Sequence, residues 1–137
     1  VKMDESKKIA EFLAEPHLAD LVTLMADGAP HVAPVWYSWD GESYVVLAEP
    51  STVKIRNIRG DARVAMSIAS RQAPYSYVLV QGKATITETD TDALLFELAY
   101  RYMGKTEGHE YAVKTQQEET FVLITVTPDK TITFFDD

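Results

Sequence analysis

The chain has 137 residues, a formal net charge of -8 and no cysteine, so it is long enough for one domain over residues 1–137 that buries a core without disulfides. The missing cysteine also excludes thiolate metal sites and a cysteine nucleophile, and the negative charge argues against nucleic-acid binding, which needs basic surface. No apolar run reaches the roughly 20 residues that a membrane span requires, and a cytoplasmic protein is expected.

The first part of the chain is predicted to form a helix and three β-strands. Apolar residues at helical spacing predict an amphipathic helix over residues 4–14. The strands are predicted at residues 21–25, which form a short apolar run, at residues 31–39, and at residues 44–48, which alternate and are rich in β-branched and aromatic residues. Asp-Gly pairs at 27–28 and 40–41 are typical of hairpin turns, so these strands are expected to form an antiparallel meander.

The second half of the chain is predicted to add four strands and two helices. The strands are expected at residues 63–69, 75–88, 120–127 and 131–135. Pro128-Asp129 is expected to be the turn between the last two strands. The strongest helical pattern covers residues 90–103 and stops at Gly104, and a weaker one covers residues 107–117.

Two residues are expected to mark irregular points of the sheet. Pro34 lies inside a predicted strand, and because proline lacks an N–H, this strand is expected to be an edge or to be bulged. Gly82 interrupts a long strand and is expected to mark a bend or bulge, as small barrels require at their corners. Strands outnumber helices and no Gly-rich dinucleotide fingerprint is present, so the sequence predicts a mainly β, antiparallel barrel with two or three covering helices.

Residue chemistry excludes several classes of active site. The three histidines, His17, His31 and His109, are far apart and lack the spacing of metal ligands, so no metal site is predicted. No nucleophile elbow of the G-x-S-x-G type is present, and no catalytic residue can be assigned. A site of paired carboxylates stays an open alternative, because acidic residues are abundant. The remaining class is chemistry carried by a bound cofactor, for which the protein supplies binding, orientation and electrostatics.

A candidate anion site follows the third predicted strand. Pro50 ends that strand, and the next two residues offer hydroxyl caps for a short helix that carries Lys54 and Arg56. Free backbone N–H groups at a helix N-terminus, together with hydroxyls and a lysine, are typical of a phosphate site. With Arg59 and Arg63, four bases lie within ten residues, which suits one anionic ligand; a solvated helix face is the alternative.

Three stretches together resemble the flavin-binding split-barrel family. This is the pyridoxamine-phosphate-oxidase-like group, and the resemblance is strongest to its small branch that uses the deazaflavin coenzyme F-420. The central stretch is AEPSTVKIRNIRGDARVAMSI at residues 48–68, with a K-x-R-N run after a strand. The pattern DG-x-P-x-x-x-P-V-W-Y at residues 27–37 and the stretch YVLVQGKATI at residues 77–86 match neighbouring family strands. The resemblance implies an FMN-binding split barrel.

The resemblance also implies how a flavin-type cofactor is held. Residues 32–36 and 46–48 would supply a flat apolar slot and its backbone edge, and Lys54 would contact the phosphate. Asn57 matches the K-x-R-N run, and Gln81 matches a position near the ring in some relatives. The implied cofactor-binding residues are Val32, Ala33, Pro34, Val35, Trp36, Leu47, Ala48, Ser51, Thr52, Lys54, Arg56, Asn57 and Gln81.

The function implied by the resemblance is that of an oxidoreductase. Reduced coenzyme F-420 would pass a hydride to an unsaturated small molecule, and the protein would be a homodimer with the cofactor near the subunit interface. FMN is the alternative cofactor, because Ser51, Thr52 and Val53 put one residue more than expected before Lys54, where close relatives often have a basic residue. A carrier that holds a flavin or haem without turnover is a further alternative, with His31 or His109 as the candidate axial ligand.

Aromatic residues at two places keep two interpretations open. Trp36, Tyr37 and Trp39 either line a pocket or fill the barrel, since large aromatic residues are most often core. Residues 100–103 either contact a second subunit near the cofactor or cover the barrel of their own chain.

Overall fold

The computed structural model describes residues 2–136 and, of these, the side chains of residues 5–136. The helices are α1 (Lys2–Ala14), α2 (Val53–Gly60), α3 (Asp92–Met103) and α4 (Lys105–Glu118). The strands are β1 (Ala19–Leu24), β2 (Pro30–Val35), β3 (Ser38–Trp39), β4 (Tyr44–Ala48), β5 (Arg63–Ala69), β6 (Ser76–Thr87) and β7 (Val122–Phe135). Within this part of the chain, no helix is both long enough and apolar enough to cross a membrane.

The seven strands form one antiparallel sheet in the order β2-β1-β5-β6-β7-β4-β3. Strands β2 and β3 follow each other in the chain, yet they lie at opposite ends of this order. Only Trp36 and Tyr37 connect them, and since consecutive Cα atoms are about 3.8 Å apart, the two sheet edges lie within about 11 Å of each other. The sheet therefore curls into a nearly closed barrel, which confirms the predicted mainly β, antiparallel architecture.

The two Asp-Gly pairs form hairpin turns, as predicted. Gly28 and Gly41 have φ angles of +88° and +100°, a region that glycine adopts at little cost. The first turn joins β1 to β2, and the second joins β3 to β4. The prediction of one strand over residues 31–39 is wrong, because the chain leaves β2 after Val35 and crosses to the opposite sheet edge. Pro34 lies in the edge strand β2, as predicted.

Gly82 marks a bulge in the long β6–β7 ladder, also as predicted. The register shifts between Gln81 and Gly82, and a side chain at position 82 would collide with the backbone of Thr127. The predicted turn at Pro128-Asp129 is wrong, since β7 runs without a break past both residues. Pro128 lies opposite Gly82 at the bulge, where the ladder is already irregular and a missing N–H is tolerated.

The buried apolar residues form two clusters. The larger cluster fills the barrel with alternate side chains of the strands and with Phe12 and Leu13 of α1. The smaller cluster lies beneath α3 and α4. It consists of Leu95, Ala99 and Ala112, packed against Trp36, Leu47, Phe96 and Phe121. The helical hairpin thus covers one side of the barrel with an apolar layer of its own.

Helices α3 and α4 approach each other closely at Gly108. A Cβ atom at this position would lie 2.5 Å from the carbonyl oxygen of Ala99 and 2.9 Å from the amide nitrogen of Tyr100. Gly104, with a φ angle of +83°, ends α3 and reverses the chain. The two helices therefore form a tight hairpin, the α3–α4 hairpin, whose geometry depends on the missing side chain at Gly108.

Arg101 and Tyr102 bind the segment that follows α1. The Arg101 guanidinium donates to three carbonyl oxygens at residues 13–15, at 2.8 to 2.9 Å. The Tyr102 hydroxyl donates to the carbonyl oxygen of His17 at 2.7 Å and accepts from the backbone N–H of Tyr37 at 3.1 Å. These two side chains therefore hold α3, the end of α1 and the link between β2 and β3 together within one chain.

Candidate functional site

A cavity of about 220 Å³ lies between the barrel and the α3–α4 hairpin. Its wall comes from the end of β2, from β4, from α2, from both helices of the hairpin and from the residue directly before β7. The lining residues are Pro34, Val35, Trp36, Leu47, Lys54, Leu95, Leu98, Tyr111 and Phe121. The first five are among the cofactor-binding residues that the family resemblance implies, so the fold brings part of the implied site together.

Alternation along β4 explains why Leu47 reaches this cavity and Ala48 does not. Tyr44, Val46 and Ala48 point into the barrel and are buried in its core. Leu47 points to the other side and packs in the cluster beneath the hairpin. The side chain of Ala48 is therefore part of the core and not of the cavity wall.

Helix α2 holds Lys54 at the cavity. The helix is fixed because Ile55 and Ile58 are buried in the barrel core. Lys54 is partly buried, and it forms no salt bridge with any residue that the structure describes. Among the residues that the structure describes, no acidic one lines the cavity. An ammonium group without an acidic partner beside an apolar wall favours an anionic ligand, because a charge-assisted hydrogen bond to an anion is stronger than a neutral one.

The hydroxyl groups before α2 do not cap the helix, so this prediction is wrong. Thr52 is the N-cap residue, but its side chain makes no capping hydrogen bond. Its hydroxyl instead donates to the carbonyl oxygen of Glu49 at 2.9 Å, and Ser51 is exposed in the preceding turn. The first-turn N–H groups of α2 have no intrahelical acceptor and are therefore available to an anion.

Arg56 and Asn57 do not line the cavity. Each helical residue is rotated by about 100° from the one before, so Arg56 lies about 200° around the axis from Lys54. It lines a separate groove of about 760 Å³ that Asn57 and Arg63 also border. Asn57 is only 5% exposed, and its amide donates to the hydroxyl of Thr23 at 3.0 Å. The Asn57 side chain therefore braces α2 against β1.

The other bases of the predicted cluster are bound by acidic residues. The Arg63 guanidinium donates to the Asp61 carboxylate at 2.7 Å, and this bond lowers the pKa of Asp61 to about 2. Arg59 lies 3.8 Å from Glu88. Proximity in sequence thus does not place the four basic residues at one site. Of the four, Lys54 lines the cavity.

Three further residues of the implied site lie elsewhere. Gln81 lines a depression of about 390 Å³ on the outer face of the sheet. Val32 is 59% exposed on β2. Ala33 pairs with the buried Leu21 and so faces the barrel interior. None of the three lines the cavity.

Trp36 forms an aromatic wall of the cavity. Its ring stacks on Tyr102 with centroids 5.0 Å apart and planes 5° apart. Tyr111 tilts against the same indole at 5.7 Å and 57°. Tyr37, the next residue after Trp36, is buried in the barrel core, and Trp39 packs against that core. Of the three neighbouring aromatic residues, Trp36 lines the pocket and the other two belong to the barrel.

Sequence reasoning missed Tyr111 and Phe121. Tyr111 lies on α4, far along the chain from β2 and α2, and the helical pattern at residues 107–117 is weak. The one local signal is the pair Gly108 and Ala112, since small residues four positions apart mark a helix face that packs closely. Tyr111 lies beside that face, and Phe121 directly precedes β7.

Neither a histidine nor another common metal ligand is among the described residues that line the cavity. The Nδ1 atom of His31 is buried without a hydrogen-bond partner, and the Nδ1 atom of His109 lies 2.9 Å from the hydroxyl of Tyr100. Among the residues that the structure describes, no three potential metal ligands come together. Neither histidine that was considered as a haem ligand therefore faces the cavity.

The cavity suits one end of a planar, anionic molecule. Its wall is apolar and aromatic around a single ammonium group. Its volume of about 220 Å³ is below the roughly 300–1,000 Å³ of typical ligand pockets, so part of a cofactor would lie outside it. Beside it runs the edge strand β2, which offers unpaired backbone N–H and C=O groups. An apolar surface, a polar edge and a cation fit a flavin-type cofactor.

Comparison with known proteins identifies relatives of this chain. Residues 6–134 match the family described as pyridoxamine 5'-phosphate oxidase. An F-420H(2)-dependent biliverdin reductase of Mycobacterium tuberculosis (strain CDC 1551 / Oshkosh) is 29% identical over 96 residues, which cover 69% of each chain.

Solved structures share the fold. A protein named F-420 reductase has a TM-score of 0.72 and 29% identity, over 89% of this chain and 94% of that one. The heme storage protein HutZ of Vibrio cholerae has a TM-score of 0.68 and 23% identity, over 94% and 92% of the two chains, and shows the fold alone. These matches confirm the predicted split barrel and the predicted class of oxidoreductase. The chain belongs to the pyridoxamine 5'-phosphate oxidase family, on a branch with reductases named for coenzyme F-420.

Proposed function

We propose that the protein is an oxidoreductase that binds coenzyme F-420 and uses its reduced form to transfer a hydride to an unsaturated small molecule. The observation that carries this proposal is the position of Lys54. The lysine that matches the family phosphate site lines an apolar cavity, and no described acidic residue neutralises it. Two relatives at 29% identity that are named for F-420 support the same cofactor.

Each part of the site has a separate task in this proposal. Lys54 and the first-turn amides of α2 bind the phosphate. Residues 34–36 and Leu47 provide the apolar surface for the ring, and the free edge of β2 offers hydrogen bonds to its polar rim. The α3–α4 hairpin excludes water from this side of the cavity. When bound, the reduced deazaflavin supplies the hydride.

FMN is the second candidate cofactor. Two observations favour it: the extra residue before Lys54, and the position of Arg56, which lines a groove distinct from the cavity. Coenzyme F-420 has an acidic tail that calls for basic surface beyond the phosphate, whereas FMN has none. A haem carrier is not favoured, because neither His31 nor His109 lines the cavity.

We also propose that the protein is a homodimer that pairs through the outer face of β6 and β7. Ile132 and Phe134 on this face are 44% and 48% exposed. Leu79 lies opposite Ile132 in the ladder, and Tyr77 stacks on Phe134 with centroids 5.5 Å apart. A contiguous apolar strip on an otherwise acidic protein is typical of an interaction surface, and a second copy of the chain carries the same strip.

Parallel titrations of the ligand-free protein with coenzyme F-420 and with FMN test the proposed cofactor. We expect F-420 to bind more tightly than FMN. Reduced F-420 is then mixed with biliverdin, the compound for which one relative is named, and protein-dependent oxidation of the cofactor supports an enzyme. Tight binding of FMN without binding of F-420 would favour the second candidate, and binding of neither would contradict both.

A further inference from the structure

We propose that Tyr111 and Lys54 together bind one oxyanion of a planar ligand in the cavity between the barrel and the α3–α4 hairpin. The oxyanion is the phosphate of the cofactor or a carboxylate of the substrate, since both present charged oxygen atoms to the same donors. Which of the two it is rests on the proposed function, whereas the site itself does not depend on it.

The polar groups of the cavity point to an anion. Six of the lining residues are purely apolar: Pro34, Val35, Leu47, Leu95, Leu98 and Phe121. The remaining three carry donors, namely the Lys54 ammonium, the Trp36 indole N–H and the Tyr111 hydroxyl. No acidic side chain within residues 5–136 lines the cavity. The polar groups carried by the lining residues are thus all hydrogen-bond donors, and one of them is positively charged, a combination that selects an anionic acceptor.

The hydroxyl of Tyr111 is available for such a bond. The other tyrosines around the hairpin use their hydroxyls within the protein: Tyr37 donates to the Leu13 carbonyl oxygen at 3.0 Å, Tyr102 donates to that of His17 at 2.7 Å, and Tyr100 lies 2.9 Å from the Nδ1 atom of His109. Tyr111 is 40% exposed and forms no hydrogen bond with a residue that the structure describes. Its phenol is therefore a donor without a protein partner at the cavity wall.

Both donors lie on elements that the fold holds in place. The contact of Gly108 with the backbone of Ala99 fixes α4 against α3, and Ala112, beside Tyr111, is fully buried. Lys54 precedes the buried Ile55 on α2. A site whose donors are fixed before binding loses less conformational entropy when the ligand arrives.

The aromatic wall sets the shape of the ligand. Trp36 stacks on the nearly parallel ring of Tyr102, which does not line the cavity, and the ring of Tyr111 is tilted by 57° against the indole. A flat conjugated group can lie against this indole, and its oxyanion then reaches the two donors. Benzoate and phenyl phosphate combine a single ring with a carboxylate or a phosphate, and they are small enough to probe a cavity of about 220 Å³.

The test measures dissociation constants of benzoate and phenyl phosphate by NMR titration of the whole chain. We expect Tyr111→Phe and Lys54→Ala each to weaken the better-bound probe by about tenfold. The dissociation constant of the double variant should rise by less than the product of the two single-variant increases, because both donors bind one oxyanion. Tyr100→Phe and Lys114→Ala are the matched controls, since neither residue lines the cavity, and both should bind as the wild type does.

Further titrations distinguish the two sources of the oxyanion. If Tyr111→Phe weakens binding of coenzyme F-420 but not of biliverdin, the cofactor phosphate is the ligand; the reverse result identifies a substrate carboxylate. Wild-type protein that binds phenyl phosphate through Tyr111 but does not bind F-420 would contradict the proposed function and support the site. The proposed site would be contradicted if Tyr111→Phe bound the probes within twofold of the wild type, or if the wild type bound neither probe. It would also be contradicted if the effects of the two substitutions multiplied strictly in the double variant.

Discussion

Replacing Gly108 with alanine probes the contact between α3 and α4, the two helices that cover the cavity. The new Cβ atom would lie 2.5 Å from the carbonyl oxygen of Ala99, whereas ordinary contacts begin near 3.4 Å. The α3–α4 hairpin must therefore open by close to 1 Å. Overpacking of this kind costs about 1–3 kcal/mol, while alanine gains about 1 kcal/mol over glycine inside a helix. The net expectation for Gly108→Ala is a loss of up to about 2 kcal/mol of unfolding free energy.

Urea unfolding measures this loss, and Gly60→Ala provides the matched control. A Cβ atom at Gly60, the last residue of α2, meets no atom within 4 Å, so this variant should be neutral or gain up to about 1 kcal/mol. Gly108→Ala should also bind phenyl phosphate and coenzyme F-420 more weakly, because Tyr111 moves with α4. If Gly108→Ala gains as much stability as Gly60→Ala, the close approach of the two helices is refuted.

Three further predictions concern packing, pH and assembly. Arg101→Lys should lower the unfolding free energy by about 1–3 kcal/mol in urea, because lysine cannot reproduce the guanidinium bonds to residues 13–15; an unchanged midpoint contradicts this. Burial lowers the pKa of His17 below its ordinary value of 6.5, so its neutral form stabilises the fold above pH 6.5, and this stability is lost as the pH falls through the lowered pKa. His17→Gln should show a flatter profile of stability against pH, and identical profiles would exclude the effect. Phe134→Asp should shift the protein to a monomer in light scattering, whereas an unchanged dimer mass would place the interface elsewhere.

The local signals of the sequence predicted much of the sheet because each has one dominant physical cause. An Asp-Gly pair favours the positive φ of a hairpin turn, and both such pairs form turns. Gly82 marks the bulge, as expected from a glycine inside a long strand. Pro128 carried the same kind of signal but was misinterpreted as a turn, because proline is also tolerated beside a bulge. The sequence around Pro128 does not distinguish a turn from a bulge unless it is known that Gly82 lies opposite Pro128 in the sheet.

Long-range curvature was beyond such reasoning. The stretch between the two Asp-Gly pairs was predicted as one strand over residues 31–39, yet the chain changes sheet edges at Trp36 and Tyr37. Only closure of the barrel decides where this strand ends. The same closure brings Tyr111 and Phe121 to the cavity from distant parts of the chain, so no local pattern at either residue indicates a site.

Some of the geometry of the candidate site was predictable from the sequence. Lys54 and residues 34–36, which the resemblance assigns to one cofactor, line one cavity. Arg56 does not join them, because a separation of two residues on a helix turns a side chain by about 200°. Helical geometry alone would have separated Lys54 from Arg56. The bond between Asn57 and Thr23 needed the strand partner of α2, which the sequence does not specify.

The affinity of coenzyme F-420 for Lys54→Ala tests the phosphate site most directly. Isothermal titration should show binding weakened by about 1.5–3 kcal/mol relative to the wild type, because a charge-assisted hydrogen bond is lost. Lys114→Ala removes the same charge from an exposed helical position outside the cavity and should leave the affinity unchanged. Equal affinities of Lys54→Ala, Lys114→Ala and the wild type would contradict a cofactor phosphate at Lys54.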